Sequence, residues 1–521
     1  MSNLLKTVQS TFSMYGFIIR RDLSNYVVGQ LQCVDEDERD TWLTKITDQL
    51  TSLNLTDPHI TKEHIDQAIR ECIRPDTNLN ENEKIFNVIS IIDIPKITYD
   101  IVRKKFQLEK IKPDYYSDAD CKTNLYKNRL NLLKYRTLRH EAFEPKKFGE
   151  TDVDKFNLVP VEYLLTNTKN GEVYVMGLLS QLVEGKYFLE DQGGAVQLDL
   201  KKAIFEAGVI TEGTIVIVNG LYEDGILEVK KIGLPPAEPS EVSRAPFGTE
   251  NTFGGTSKIS LKLSEKLKNH EESRISEMMV ILSDVWLDDP VILSKLRIIF
   301  DGYSDDAPIA FILCGNFLSF APNVTSADKL KEGFNKLADI IQDYPDIKKY
   351  SKFVFVPGPQ DIFAPKILPK APLPEYLLDT FIKSIPGTFL AYNPCRIQYC
   401  TKEIVVFRED MIAKLSRNTL KFPEKGQLYE HYARTMVCQS HLAPMTLPVV
   451  PVYWKHDHAL QLFPTPDLIV VADSSQSYTT SYADCKVINP GSFPKNKFSF
   501  KVYKPGMDEI EDCELPDDND D

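Results

Sequence analysis

Three apolar runs in the second half of the chain end on residues that can do chemistry: Leu282-Ser283-Asp284-Val285-Trp286, Leu313-Cys314-Gly315-Asn316 and Val356-Pro357-Gly358-Pro359-Gln360-Asp361. Oxygen donors at successive strand ends could gather two cations about 3.5–4 Å apart and hydrolyse a phosphate ester. Dications at that spacing repel, and a bridging carboxylate offsets much of the repulsion. Asn316 is neutral and cannot bridge. Trp286 offers only an N–H donor, Gln360 a weak amide oxygen, and Pro359 no ligand. The frame of a metal site is there without its ligands, so the expectation is a chain with no catalytic residues, no bound metal and no cofactor.

Other motifs are weaker. His456-Asp457-His458 puts two imidazoles on one face if extended, and surface histidines explain it better than a metal site. The nine cysteines include no C-x-x-C pair, and Cys395 and Cys400 are too far apart for a usual zinc knuckle. Walker, G-x-G-x-x-G and G-x-S-x-G motifs are absent. A net charge of −14 argues against a dedicated nucleic-acid binder. The chain start lacks a long apolar segment and no run is long enough to span a membrane, so a reducing compartment and no membrane contact are expected.

The elements that must position these residues fall into blocks. Residues 1–75 have helical spacing, as in Leu4, Leu5, Val8 and Phe12, with Thr61 an N-cap and Pro75 a stop. Residues 76–150 read as a connecting segment, with Tyr99–Phe106 helix-like and Leu125–His140 a basic amphipathic helix whose charged face is solvated. Residues 151–235 switch to period two with glycine turns. Three strands, a helical piece at Lys201–Ala207 and two more strands is the order of an OB-fold β-barrel. Tyr174, Tyr187 and Tyr222 could stack bases there, although Glu172, Glu184, Glu190 and Asp191 on the same module favour ordinary strand roles. Residues 236–268 read as a linker, 269–505 as an α/β domain with sheet-buried strands, and 506–521 as an acidic, disordered tail.

The strand-end series resembles the D-x-H, G-D and G-N-H-[DE] motifs of calcineurin-like phosphoesterases, with Trp286, Asn316, Pro359 and Gln360 at the lost positions. The last motif should follow Leu468–Val471, where Ala472-Asp473-Ser474-Ser475-Gln476 has no histidine, so Asp284 and His441 are the recognisable survivors. An OB fold joined to such an inactive domain resembles the B-subunit family of the eukaryotic replicative DNA polymerases. The helical block, Phe86–Pro95, Pro451-Val452-Tyr453-Trp454 and Ile488–Pro494 look like its epsilon branch.

That resemblance implies a multidomain, non-enzymatic accessory subunit in the nucleus, working in DNA replication and repair. It implies that the chain clasps the C-terminal zinc-binding region of the catalytic subunit and shares the complex with small histone-fold subunits. The N-terminal domain, similar to the helical lid of AAA+ proteins, would reach the replicative helicase, and DNA would be met through the complex and only weakly by the chain alone. A single-stranded DNA-binding OB module and a residual metallophosphodiesterase are the alternatives.

Overall fold

The computed structural model describes residues 2–31, 39–52, 59–72, 85–112, 114–144, 155–166, 169–363 and 365–515. At the N-terminus lie four helices, α1 (Ser2–Met14), α2 (Arg21–Leu31), α3 (Arg39–Ser52) and α4 (Lys62–Cys72). Their i, i+4 apolar pairs, Val8 with Phe12, Ile46 with Leu50 and Ile65 with Ile69, fill one core. Thr61 Oγ1 accepts the His64 N–H at 3.4 Å, the expected cap.

The next segment is more than a connector. Strand β1 (Phe86–Ile89) pairs antiparallel with a strand of the C-terminal domain, Phe86 opposite Tyr399. Tyr99–Phe106 is a hairpin rather than a helix, formed by β2 (Lys96–Asp100) and β3 (Lys105–Glu109). Asp100 Oδ1 closes the turn by accepting the N–H groups of Val102 at 2.9 Å and Arg103 at 3.0 Å. Ile97, Tyr99, Phe106 and Leu108 then share one face, a period-two pattern that short apolar spacing disguised as helical.

Helix α5 (Ala119–Arg139) buries Leu125, Leu130, Leu132 and Leu133 as expected, but its basic face is not all solvated. Arg136 is 1 % exposed. Its guanidinium donates to Val437 O at 3.2 Å, to Ser440 Oγ at 2.6 Å and to Cys438 O, neutralising the carbonyl end of the helix Leu428–Gln439.

Strands β4 (Leu158–Val159), β5 (Lys169–Val183), β6 (Lys186–Glu190), β7 (Ala195–Asp199), β8 (Ile204–Phe205), β9 (Ile215–Glu223) and β10 (Ile226–Gly233) form the second module. The barrel closes because β5 pairs with both β6 and β9, β6 with β7, and β10 with β7 and β9. The helix expected at Lys201–Ala207 is absent: Lys201 and Lys202 form a turn, and β8 pairs with β10. The strip 236–268 is strapped to the C-terminal domain, with Phe247 and Phe253 buried, an Arg244–Glu403 ion pair, and Lys262 Nζ 2.6 Å from Asp467.

The C-terminal domain is a sandwich of two sheets between helical layers. One sheet has the order β14 (Thr388–Leu390), β13 (Lys352–Val356), β12 (Ala310–Cys314), β11 (Met279–Ser283), β20 (Ser499–Lys504), β21 (Glu509–Glu514). The other runs β1, β15 (Cys395–Tyr399), β16 (Lys402–Phe407), β17 (Leu468–Val471), β19 (Cys485–Asn489), β18 (Tyr478–Tyr482). Alternation divides the strands between cores. Met279 and Ile281 face Ile397, Ile404 and Val470 of the other sheet. Val280 and Leu282 pack on the helices Pro290–Gly302 and Ser326–Gln342. The acidic stretch expected to be disordered from Asp508 is the edge strand β21 up to Glu514. It is drawn in by charge: Asp512 pairs with Lys501, and Glu511 Oε1 lies 2.6 Å from Lys504 Nζ.

Candidate functional site: a strand-end cleft filled by an arginine

β11, β12 and β13 are parallel and in register, so Asp284, Gly315-Asn316 and Gly358–Asp361 emerge side by side at one end of the sheet. The Gly358 N–H donates to Asp361 Oδ2 at 2.7 Å and the Phe317 N–H to Asp361 Oδ1 at 2.8 Å. The Asn316 amide is held from both sides. Its Oδ1 accepts the Gln360 N–H at 2.9 Å, and its Nδ2 lies 3.4 Å from Asp284 Oδ1. A Cβ added at Gly315 would collide with Asp361 Oδ2, so only glycine fits this approach.

Arg408, the residue after β16, enters this cleft from the other sheet and is fully buried. Its Nη2 donates to Asp284 Oδ1 at 2.7 Å and its Nη1 to Asp410 Oδ1 at 3.0 Å, while Nε donates to Gly315 O. Its own backbone is locked by Asn393, whose Oδ1 accepts the Arg408 N–H at 3.0 Å and whose Nδ2 donates to Arg408 O at 2.6 Å. Burial opposes the guanidinium charge, but Asp284 and Asp410 outweigh it and hold the pKa above its ordinary value. Asp410 is held below the usual carboxylate range: burial raises it, and Arg408 and the Ser474 N–H more than offset that. Burial pushes the Asp361 carboxyl up, against the N–H donors of Phe317 and Gly358.

Lys370 adds a second internal cation. Its Nζ lies 2.6 Å from Gly358 O and 2.7 Å from Asp361 O, which ties the third strand end shut. Trp286 turns its ring to the helical layer, beneath Lys495 at 5.7 Å. A pair of divalent cations does not fit these residues, because the carboxylate at the first strand end already carries a guanidinium.

His441 is not part of this cleft. Its Nε2 lies 3.2 Å from Asp457 Oδ1, and its Nδ1 accepts the Ala443 N–H at 3.0 Å. Asp457 is also gripped by Arg129 of α5, Nε to Oδ2 at 3.0 Å. Burial and the Arg129 charge both lower the His441 pKa, so it sits neutral beside the ion pair. His456 and His458, expected to be surface histidines, are buried in a 3-10 turn, Trp454–Leu460. Burial lowers the His458 pKa to about 3. Of the sequence candidates, then, Asp284, Asn316, Pro359 and Gln360 share one strand-end cleft, while Trp286 and His441 face elsewhere. Arg408 and Lys370 were missed; the one signal for Arg408 is its place directly after the buried run Ile404–Phe407.

The barrel offers little to a base. Tyr222 is 4 % exposed and Tyr174 lies against Phe156 with ring centroids 4.4 Å apart. Its rim is spent on the C-terminal domain instead. Gln439 bonds Ile215 N at 2.9 Å and Ile215 O at 2.7 Å, and His431 Nδ1 accepts the Gly208 N–H at 2.9 Å.

Comparison with known proteins agrees with this plan. Residues 279–480 match the B-subunit family of DNA polymerases alpha and epsilon, residues 119–236 the OB-fold domain of DNA polymerase epsilon subunit 2-like proteins, and residues 1–72 the N-terminal region of DNA polymerases epsilon. DNA polymerase epsilon subunit 2 of Homo sapiens is 42% identical over 97% of this chain and 97% of its own length. The chain belongs to the DNA polymerase epsilon subunit 2 family. The Drosophila melanogaster member is 43% identical over 99% of this chain and 98% of its own length, and the Arabidopsis thaliana member 32% identical over 97% and 98%. An archaeal phosphodiesterase structure shares 11% identity with this family member, covering 46% of this chain and 99% of its own, with a TM-score of 0.26.

Proposed function

We propose that this chain is the non-catalytic accessory subunit of a DNA polymerase epsilon complex. It grips the C-terminal zinc-binding region of the catalytic subunit through the OB and α/β domains and acts in the nucleus. The observation that carries the non-catalytic part is the Arg408 guanidinium seated on Asp284 between two strand ends. An arginine side chain cannot be deprotonated or displaced cheaply, so it supplies charge balance without an open coordination position or an activated water. The scaffold part is supported by family membership and by the hydrogen bonds that join α5 and the barrel to the helix Leu428–Gln439 and the residue after it, which give a continuous surface suited to a large permanent interface.

On this reading the small histone-fold subunits join the same complex, and the N-terminal helices, similar to an AAA+ lid, turn toward the replicative helicase. The deciding experiment is co-expression with the C-terminal region of a catalytic subunit. A stoichiometric complex is expected, with no phosphodiesterase turnover when Mn²⁺ is added. Absence of the complex would sink the scaffold role, and turnover abolished by Asp284→Ala would sink the non-catalytic one.

A further inference from the structure

The β2–β3 hairpin has a charge and an exposure that its packing does not require. Residues 96–112 hold six Lys or Arg against two acids, in a chain of net charge −14. The hairpin is fixed just behind its turn: Tyr99 and Phe106 pack on Tyr135 with ring centroids 4.4 Å and 4.8 Å away, and Phe106 on Phe247 at 4.7 Å. Its tip is bare. Ile101 is 50% and Val102 92% exposed, and Arg103, Lys104 and Lys105 beside them are exposed too. Lys96 and Arg103 reach acids only at 3.9 Å and 3.7 Å. Lys104, Lys105, Lys110 and Lys112 have no ion pair among the described residues.

Exposed cations on a rigid finger are what a nucleic-acid backbone requires: its phosphates meet the cations and release their counterions. Two of the barrel's lysines are already matched by acids. Lys202 lies 2.9 Å from Glu228 and Lys230 3.0 Å from Glu172. We propose that the hairpin tip, rather than the OB barrel, forms the DNA-contacting surface of this chain. Arg103, Lys104 and Lys105 bind the phosphodiester backbone. The choice of DNA over an acidic protein segment rests on the family reading; the surface itself goes beyond it.

The test titrates labelled single-stranded and duplex oligonucleotides into the full chain at several salt concentrations. The variant Arg103→Gln/Lys104→Gly/Lys105→Gln keeps the turn, since Lys104 sits at φ 51°. Its log–log salt slope should be shallower by about 2 on single strands, at roughly 0.7 per lost phosphate contact, and its low-salt affinity about tenfold weaker. Lys201→Gln/Lys202→Gln should change affinity less than twofold. Co-purification of the hairpin variant with the catalytic subunit, expected intact, separates this proposal from the scaffold reading. The proposal falls if the wild-type chain shows no salt-dependent binding, if the hairpin variant keeps its affinity and slope, or if the loss follows the barrel lysines. It also falls if the hairpin variant keeps DNA and loses the catalytic subunit, which would make the finger a protein contact.

Discussion

Arg408 spans two sheets and satisfies Asp284, Gly315 and Asp410 at once, so its removal leaves the buried Asp284 carboxylate without its counter-charge and the Gly315 carbonyl without the Arg408 donor. Arg408→Ala is expected to cost about 3–5 kcal/mol of folding stability, the usual result of breaking one half of a buried ion pair. Chemical denaturation of the full chain measures it, and a loss under about 1 kcal/mol would show that the cleft does not depend on its internal cation. His458 gives a pH signature. Its folded pKa is about 3 because burial disfavours the charged ring, against about 6.5 unfolded. The unfolded chain therefore binds a proton that the folded chain refuses, and stability falls as pH drops from about 6.5 toward 3. One such group contributes a slope of up to about 1.4 kcal/mol per pH unit. His458→Phe should flatten the curve between about pH 6.5 and 5 by about that amount, and an unchanged slope would contradict the buried neutral histidine.

At the scale of elements, α5 is the piece on which the assembly of modules turns. One side packs Leu130 and Leu133 on Met176, Ile215 and Ile217 of the barrel, while Arg136 and Arg129 reach into the C-terminal domain. Arg136→Met keeps the apolar stem and removes the donors from Val437 O, Cys438 O and Ser440 Oγ. The expected loss is about 2–3 kcal/mol, the scale of a lost charged hydrogen-bonding group. Faster proteolysis near the exposed connections of α5 should accompany it; equal proteolysis and equal stability would mean that α5 merely rests on its neighbours.

Across the whole molecule, the N-terminal helices form their own core, Val8, Phe12, Val27, Leu43, Ile65 and Ile69 among its members. Their contact with the remainder includes Ile259 and Leu263 and a Gln30–Thr249 hydrogen bond. Deleting 1–75 should therefore leave binding of the catalytic subunit within about twofold in co-purification, because the interlock of α5, barrel and α/β domain lies wholly beyond it. Loss of binding by a deletion product that still unfolds cooperatively would assign the helices to the subunit interface.

Periodicity along the chain was enough to read the helices before Cys72, the barrel strands and the alternation of strands with helices after Met279. It was enough because side-chain spacing within an element depends on local backbone geometry alone. The strand-end residues were legible for the same reason, and their chemistry excluded a bridging carboxylate at Asn316 without any coordinates. Three features were decided only by the fold. The hairpin at Lys96–Glu109 depended on the Asp100 turn and on aromatic partners far along the chain, Phe247 and Phe463. The acidic strand β21 needed the lysines of β20 to discharge it. Asp284 found its counter-ion 124 residues away in Arg408, and His441 found Asp457 and Arg129 instead of Asp284. Buried charges pair by distance in space, where low dielectric makes each partner decisive, and no local pattern encodes which distant residue the sheets will bring into reach.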